Sequence, residues 1–259
     1  MRLSEIVTLL EEIAPPELAY ESDRDRIGMV LDRGNNVNRV AVALDVTDYV
    51  LEEAARAEVD ILVTHHTPIY NPIHKISRNL SDSLKIALEN EISIYAMHTN
   101  YDRALGGVND VLAEELELQD VEELDPGRIG RLEYPTTTGE FAQFVAQRLN
   151  VSVKWSGERE IETVMVIGGS GLNGEFVELA IEGGADALVS GELRHDAIRK
   201  ARNLALIDAT HYATEIPAMK RLCDRLPIDT VFIDHVPDVN VVNATHTPHI
   251  EQMSWYGGL

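Results

Sequence analysis

In the stretch ILVTHHTPIY (61–70) a run of β-formers ends in two adjacent histidines, His65 and His66. Imidazole nitrogens ligate divalent ions and carry protons near neutral pH. Neighbouring side chains in a strand point to opposite faces, so the pair cannot easily hold one ion from within a strand. At a strand's C-terminal end each can serve one of two adjacent ions, and Pro68 disrupts ladder pairing just beyond them. Three further groups stand at comparable places. Asp102 follows ISIYAMHTNY, and His211 and Glu215 follow LALIDAT. If a helix begins near His211, the i, i+4 spacing puts it on one face with Glu215, and Pro217 suits that helix's first turn. Three histidines and two carboxylates exceed the three protein ligands usual for an open zinc site. They suit two ions ~3.5–4 Å apart with one carboxylate bridging.

Each member also has a plainer reading. A histidine pair can cap a strand, HxxxE is common on exposed helices, and Asp102 can cap the turn at Gly106-Gly107. Joint placement at strand ends favours the metal set His65, His66, Asp102, His211 and Glu215. His98 stands four residues before Asp102, as His211 does before Glu215. It can be a sixth ligand or hold a ligand through a ring N–H; a supporting, proton-carrying role is preferred. Asp45 ends a strand nearby and can orient a histidine or cap a helix from Tyr49. Glu192 and His195, in SGELRHD, can line the same cleft or mark a turn into a helix, and Glu192 is a second candidate proton carrier. His74, His235, His246 and His249 lack such placement and read as surface or loop residues.

The elements that must position these groups alternate. Residues 39–46 read as a buried strand, 48–58 as a helix, and VDILVTHH as a strand. Residues 92–98 are a further strand and 107–118 a further helix. MRLSEIVTLLEEIAPP has acidic residues among its apolar ones and reads as an amphipathic helix rather than a signal peptide. Strand-helix-strand order implies parallel strands joined by right-handed crossovers, and open parallel sheets place their sites at strand C-termini.

The second half repeats the first. VLEEAARAEVDILVTHH (50–66) aligns without a gap to FVELAIEGGADALVSGE (176–192), with Glu52/Glu178, Ala54/Ala180, Asp60/Asp186, Leu62/Leu188 and Val63/Val189 identical. The repeat matches His98 to His211 and sets GGSGLNG (168–174) opposite LDVTD, as a turn. The reading is an α/β fold of two related lobes, an internal pseudo-repeat with mainly parallel sheets and the metal site between them. The first lobe takes 1–124 plus 236–259, whose strand-like tail returns to it. The second takes 125–235, after a turn-rich connection at 119–139.

Composition excludes some partners. No stretch approaches the ~18 apolar residues of a membrane span. Cys223 is the only cysteine, so no intrachain disulfide forms and the chain fits a reducing cytoplasm. Acidic residues number 44 against 22 basic ones, for a formal charge of -22, and no basic stripe recruits nucleic acid. Only Lys75, Lys85, Lys154, Lys200 and Lys220 are lysines.

The motifs VALDVT (42–47), DILVTHHTPIY (60–70), HTNYD (98–102), GGVND (106–110), SGELRHD (190–196) and IDATHYATE (207–215) together resemble the NIF-three-like dinuclear-metal proteins, also labelled GTP cyclohydrolase I type 2 homologues. The resemblance implies two related α/β lobes and a toroidal homohexamer whose metal sites face an internal cavity. It implies that Glu215 bridges, with His66 and Asp102 on one ion and His65 and His211 on the other, and that His98 is not a usual ligand. Arg24-Asp-Arg-Ile-Gly28 departs from the family's Trp-Asp-Asn-x-Gly, and the short 119–139 connection leaves no room for the domain that longer members insert.

These readings lead to a cytoplasmic dinuclear divalent-metal protein. The expected role is a metal-dependent hydrolase acting on a nucleotide or related small molecule. The alternative is a metal chaperone, store or regulatory adaptor without turnover. The ions are zinc, iron or manganese. Acidity with few lysines points to a salt-rich cytoplasm, as in a halophilic archaeon, where ions screen self-repulsion within a few ångströms. The melting temperature should therefore rise in multimolar KCl. A thermal scan with no gain in salt would sink that reading.

Overall fold

The structure, a computed structural model, describes residues 1–34 and 36–240. In chain order the elements of the first half are α1 (Leu3–Ile13), β1 (Gly28–Leu31), β2 (Arg39–Ala43), α2 (Asp48–Arg56), β3 (Ile61–Thr64), α3 (Arg78–Glu89), β4 (Ser93–Ala96), α4 (Thr99–Arg103) and α5 (Val108–Glu115). Then come β5 (Gln119–Leu124), β6 (Gly127–Thr137), α6 (Thr138–Arg148), β7 (Lys154–Ser156), β8 (Glu160–Val166), α7 (Gly174–Glu182), β9 (Ala187–Ser190), α8 (His195–Lys200), β10 (Ala205–Asp208), α9 (His211–Arg225) and β11 (Asp229–Phe232).

The fold is α/β with two sheets. One runs β1-β4-β3-β2-β11 and the other β5-β6-β8-β9-β10-β7. Strands β4, β3, β2 and β11 are parallel, as are β8, β9 and β10. In β2, β3, β4, β9 and β10 the residues form buried, mainly apolar runs, as strands covered on both faces require, whereas the outer β11 is partly exposed. Antiparallel β1 and β7 flank β4 and β10. In α1, Leu3, Ile6 and Leu10 are buried at i, i+3 and i+7, the stripe expected of an amphipathic helix.

The two sheets repeat one layout. Ile61 pairs with Val40 and Ser93, and its equivalent Ala187 pairs with Val164 and Ala205. The identical Asp60 and Asp186 do one job: each carboxylate accepts two backbone amides at the start of the neighbouring strand, Asn38 and Arg39 in one half, Glu162 and Thr163 in the other. Register corrects the expected pairing of His98 with His211. Thr64 lies opposite Ala96 and Ser190 opposite Asp208, so His98 matches Thr210, and these two are the N-caps of α4 and α9. His211 matches Thr99, one residue along.

The sheets change over at different points from the expected lobe limits of 124/125 and 235/236. Residues 119–139 are no loose connection: β5 and β6 form an antiparallel hairpin on the second sheet. Its charged residues reflect an exposed sheet edge, where unpaired backbone is commonly guarded by charge. The strand that returns to the first sheet is β11, at 229–232. Most of the expected tail strand, with His246 and His249, lies outside the described residues.

Helices α5 and α9 pack on each other between the lobes. Val108 and Val111 of α5 enter the first lobe's core, whereas Leu112 and Ala113 enter the second's. Helix α9 starts from the second sheet but buries Ile216, Ala218, Met219 and Leu222 in the first core. Pro217 is its seventh residue, a turn deeper than expected, so the carbonyl of Ala213 has no proline N–H to accept. Leu222 is fully buried. Leu222→Ala should cost ~2–5 kcal/mol in chemical denaturation; a loss below ~1 kcal/mol would show that α9 is not part of this core.

Candidate metal centre

The site is built at the C-terminal ends of β3, β4 and β10. Beyond β3 the backbone turns sharply. The amides of His65 and His66 both donate to the Leu44 carbonyl, at 3.2 and 3.0 Å, and Thr64 Oγ1 donates to the His66 carbonyl. The rings consequently diverge, with centroids 5.0 Å apart and planes tilted by 58°. His65 is fully buried, whereas His66 is partly exposed.

Helix α4 carries Asp102, and α9 carries His211 and Glu215 one turn apart. Glu215 stands at the centre, 3% exposed. Its Oε1 lies 3.1 Å from His211 Nε2 and 3.5 Å from His65 Nε2, and its Oε2 lies 3.4 Å from His66 Nε2. Asp102 Oδ1 is 3.4 Å from His65 Nε2, and the His66 and His211 Nε2 atoms are 3.3 Å apart. All five expected residues therefore meet, grouped as His65, Asp102 and Glu215 on one side and His66, His211 and Glu215 on the other. This corrects the pairing that the resemblance implies: Asp102 goes with His65, not His66. The buried His65 turns towards α4, and the more exposed His66 faces α9.

Among the described residues, His65 Nε2, Asp102 Oδ1 and Glu215 Oε2 are buried with no hydrogen-bond partner. Each such atom costs ~1–3 kcal/mol to bury. Cations placed among them satisfy all three, so the donor set fits divalent metal.

The surroundings hold the ligands in place. Asp45 Oδ1 takes His66 Nδ1 at 2.7 Å; it orients the ring, and Thr47 caps α2 instead. Glu192 Oε1 takes His211 Nδ1 at 2.6 Å. Such carboxylate–imidazole contacts fix the tautomer of a ligating histidine. Glu192 and Thr210 both have positive φ, +60° and +66°, a costly conformation for a β-branched threonine. Asp208 clamps both bends, accepting the amides of Leu193 and Thr210. Gly169, in the expected turn GGSGLNG, also borders the site: a Cβ there would lie 2.3 Å from Glu215 Oε1. Thr214 Oγ1 accepts the Gly169 amide at 2.9 Å.

His98 does not join either Glu215 group. A nitrogen of its ring lies within 4.8 Å of one each from His65 and His66, and its Nδ1 bonds Asp23 Oδ2 at 2.8 Å. Asp23, 2% exposed, also accepts the Thr99 amide and hydroxyl. His195 is exposed at the start of α8 and belongs to no candidate ligand group among the described residues, nor does His74. His235 bonds Thr47 and stacks near Tyr49. Sequence reasoning missed Asp23, Thr214 and Asn109. Asn109 donates to the Asp102 and Pro126 carbonyls and accepts the Gly168 amide. Its signal was present in GGVND, but with no role attached.

The family model Duf34/NIF3 (NGG1p interacting factor 3) matches residues 1–246. The chain belongs to the Duf34/NIF3 family. It is similar to the GTP cyclohydrolase 1 type 2 homolog of Methanocaldococcus jannaschii, at 30% identity over 246 residues, 90% of this chain and 100% of that one. The namesake of Streptomyces coelicolor is 34% identical over 241 residues, covering 83% and 82%. Among solved structures, a Bacillus cereus protein related to NIF3 superposes with a TM-score of 0.86 at 23% identity, over 93% of this chain and 99% of that one, which shows the fold. Reduced HcgD from M. jannaschii gives 0.80 at 31% identity, over 91% and 98%.

In this Duf34/NIF3 protein the site's charges compete with protons. Burial pushes the His65 imidazole down, but Glu215 and then Asp102 outweigh it and hold its pKa at about 9. Burial also opposes protonated His211, yet Glu215 and Glu192 raise it to about 9. Burial raises the Asp102 carboxyl, against the pull of His65. Glu215 is also opposed by burial, but His65 and His211 hold it below the usual carboxylate range. Metal-free protein thus carries protons where ions would bind. Both imidazoles sit above their unfolded value of about 6.5. Their stabilisation is full below that pH and is lost as pH rises to about 9. Metal-free protein should therefore melt progressively lower from pH 6.5 to 9. Metal affinity should climb over the same range as the protons leave. Calorimetry in buffers of different ionisation heat should detect proton release on binding at pH 7; none would refute this account.

Proposed function

We propose that this protein holds two divalent ions per chain and is a metal-dependent hydrolase acting on a nucleotide or related small molecule. One observation carries the reading: the buried Glu215 carboxylate lies between two histidine-containing donor groups, with unpartnered acceptor and imidazole atoms aimed at the same space. The ions are zinc, iron or manganese, which mixed imidazole and carboxylate donors suit. Ions held there supply a water activated to a pKa of ~7 and polarise the bond under attack.

The chain's own residues do the rest. His65, Asp102 and Glu215 form one ligand group, and His66, His211 and Glu215 the other. Asp45 and Glu192 keep Nε2 of their histidines free for the ions by engaging Nδ1. Glu192 thereby orients a ligand as well as standing at the exposed rim, where it can pass protons to solvent. His98 is the other proton carrier: Asp23 holds its Nδ1, and the ring lies 5.1 Å from that of His65. The name of the curated relatives supports nucleotide chemistry.

Elemental analysis of native protein should find two ions per chain. His211→Ala and Glu215→Ala should each lose at least one while remaining folded by circular dichroism. Retention of two ions by both variants would falsify the site. The native metal form is then screened against nucleotides and phosphoesters. If it turns none over and surrenders its ions to a modest competitor, the protein is a metal carrier instead.

A further inference from the structure

Beside His98 the mouth of the metal centre carries an aromatic ring and a cation that the proposed chemistry does not use. Tyr70, the last residue of HHTPIY, is 54% exposed. Its ring is nearly perpendicular to that of His98, with centroids 6.4 Å apart and planes at 83°, and the His98 ring in turn lies 5.1 and 5.7 Å from those of His65 and His66. The guanidinium of Arg26 lies over the Tyr70 ring, 3.8 Å from its centroid. With about half of Tyr70 exposed, part of its surface stays open to solvent beside the Arg26 guanidinium.

Arg26 is itself held in place. Its Nε donates to the Tyr70 carbonyl at 2.7 Å, and its Nη1 reaches Asp23 at 3.4 Å. That contact is to Asp23 Oδ1, while Oδ2 takes three shorter bonds from His98 and Thr99. Nη2 of Arg26 has no partner among the described residues, and the side chain is 21% exposed. In a chain of net charge -22 this cation stands out. Other partly exposed groups touching the candidate ligand histidines are carboxylates, Asp45 on His66 and Glu192 on His211.

We propose that Tyr70 and Arg26 form a binding ledge for a planar, anionic ligand of the nucleotide class. The base stacks on the exposed surface of Tyr70, and a phosphate takes the free edge of the Arg26 guanidinium. Aromatic rings stack any base, and a planar guanidinium pairs with phosphate through directed N–H bonds. Asp45 and Glu192 oppose the reverse orientation by charge repulsion. The choice of a nucleotide rests on the hydrolase reading above; the ledge itself rests on Arg26 and Tyr70.

The test is equilibrium binding of GMP, guanosine and ribose 5-phosphate to the protein as isolated, and to its Arg26→Gln, Tyr70→Leu and His211→Ala variants. Arg26→Gln should weaken GMP and ribose 5-phosphate ~10-fold and leave guanosine within ~2-fold. Tyr70→Leu should weaken GMP and guanosine ~10-fold and spare ribose 5-phosphate. An equal loss of all three ligands in either variant would mean the loop has merely shifted and would overturn the ledge. So would unchanged GMP affinity in both variants, or phosphate binding that survives Arg26→Gln but vanishes in His211→Ala. Elemental analysis of the first two variants, which keep all five candidate ligands, reads the metal centre separately. The two-ligand pattern in protein that holds no metal would support the ledge and sink the hydrolase reading.

Discussion

A carboxylate buried between two lobes needs positive charge around it, and Glu215 sets that requirement for this structure. Stripped of water, it is tolerable only with cations at hand. Three imidazoles surround it. Protons can supply the charge, which is why His65 and His211 hold theirs so firmly, but protons leave Asp102 and Glu215 atoms unpartnered. Room is a second requirement. Gly169 provides it because any side chain there would overlap the carboxylate. The strained bends at Glu192 and Thr210, held by Asp208, are the cost of aiming α9 so that His211 and Glu215 face inward.

The two halves share a layout but divide the work. His65 and His66 are matched in the second half by Gly191 and Glu192. A side chain at Gly191 would collide with the His211 amide, 2.4 Å away, so the second half cannot carry a histidine there. Glu192 instead orients His211, as Asp45 orients His66. The first half thus contributes the strand-end histidine pair, and the second contributes space, orientation and the start of α9. The halves share one frame, while unequal residues at matched positions leave a single candidate site.

Much of this was legible in the sequence. The alternation of buried strands and helices gave the α/β layout, because covered parallel strands read as apolar runs whatever their partners. All five residues of the centre were legible because metal-ligating types stood together at strand ends, and Asp45 was legible for the same reason. The grouping of these candidate ligands was not. It depends on which way two neighbouring rings turn, and that follows from two amides sharing the Leu44 carbonyl. Asp23 was hidden because it reaches His98 across 75 positions from a 3₁₀ segment with no periodicity. The β5–β6 hairpin was hidden because exposed edge strands carry charges that mimic a loop. The one-residue offset between His98 and His211 was invisible for a related reason: identity aligned the histidines, whereas the sheet aligns the helix caps.

Helix α9 belongs by sequence to the second half and by packing to the first, and β11 follows it back to the first sheet. Helix α5 straddles both cores from the other direction. Neither half therefore owns a complete interior, and no single cut in the chain would release two self-sufficient pieces. The residues that meet at Glu215 come from both halves: His65, His66 and Asp102 from the first, and His211 from the helix that opens the second half's last segment.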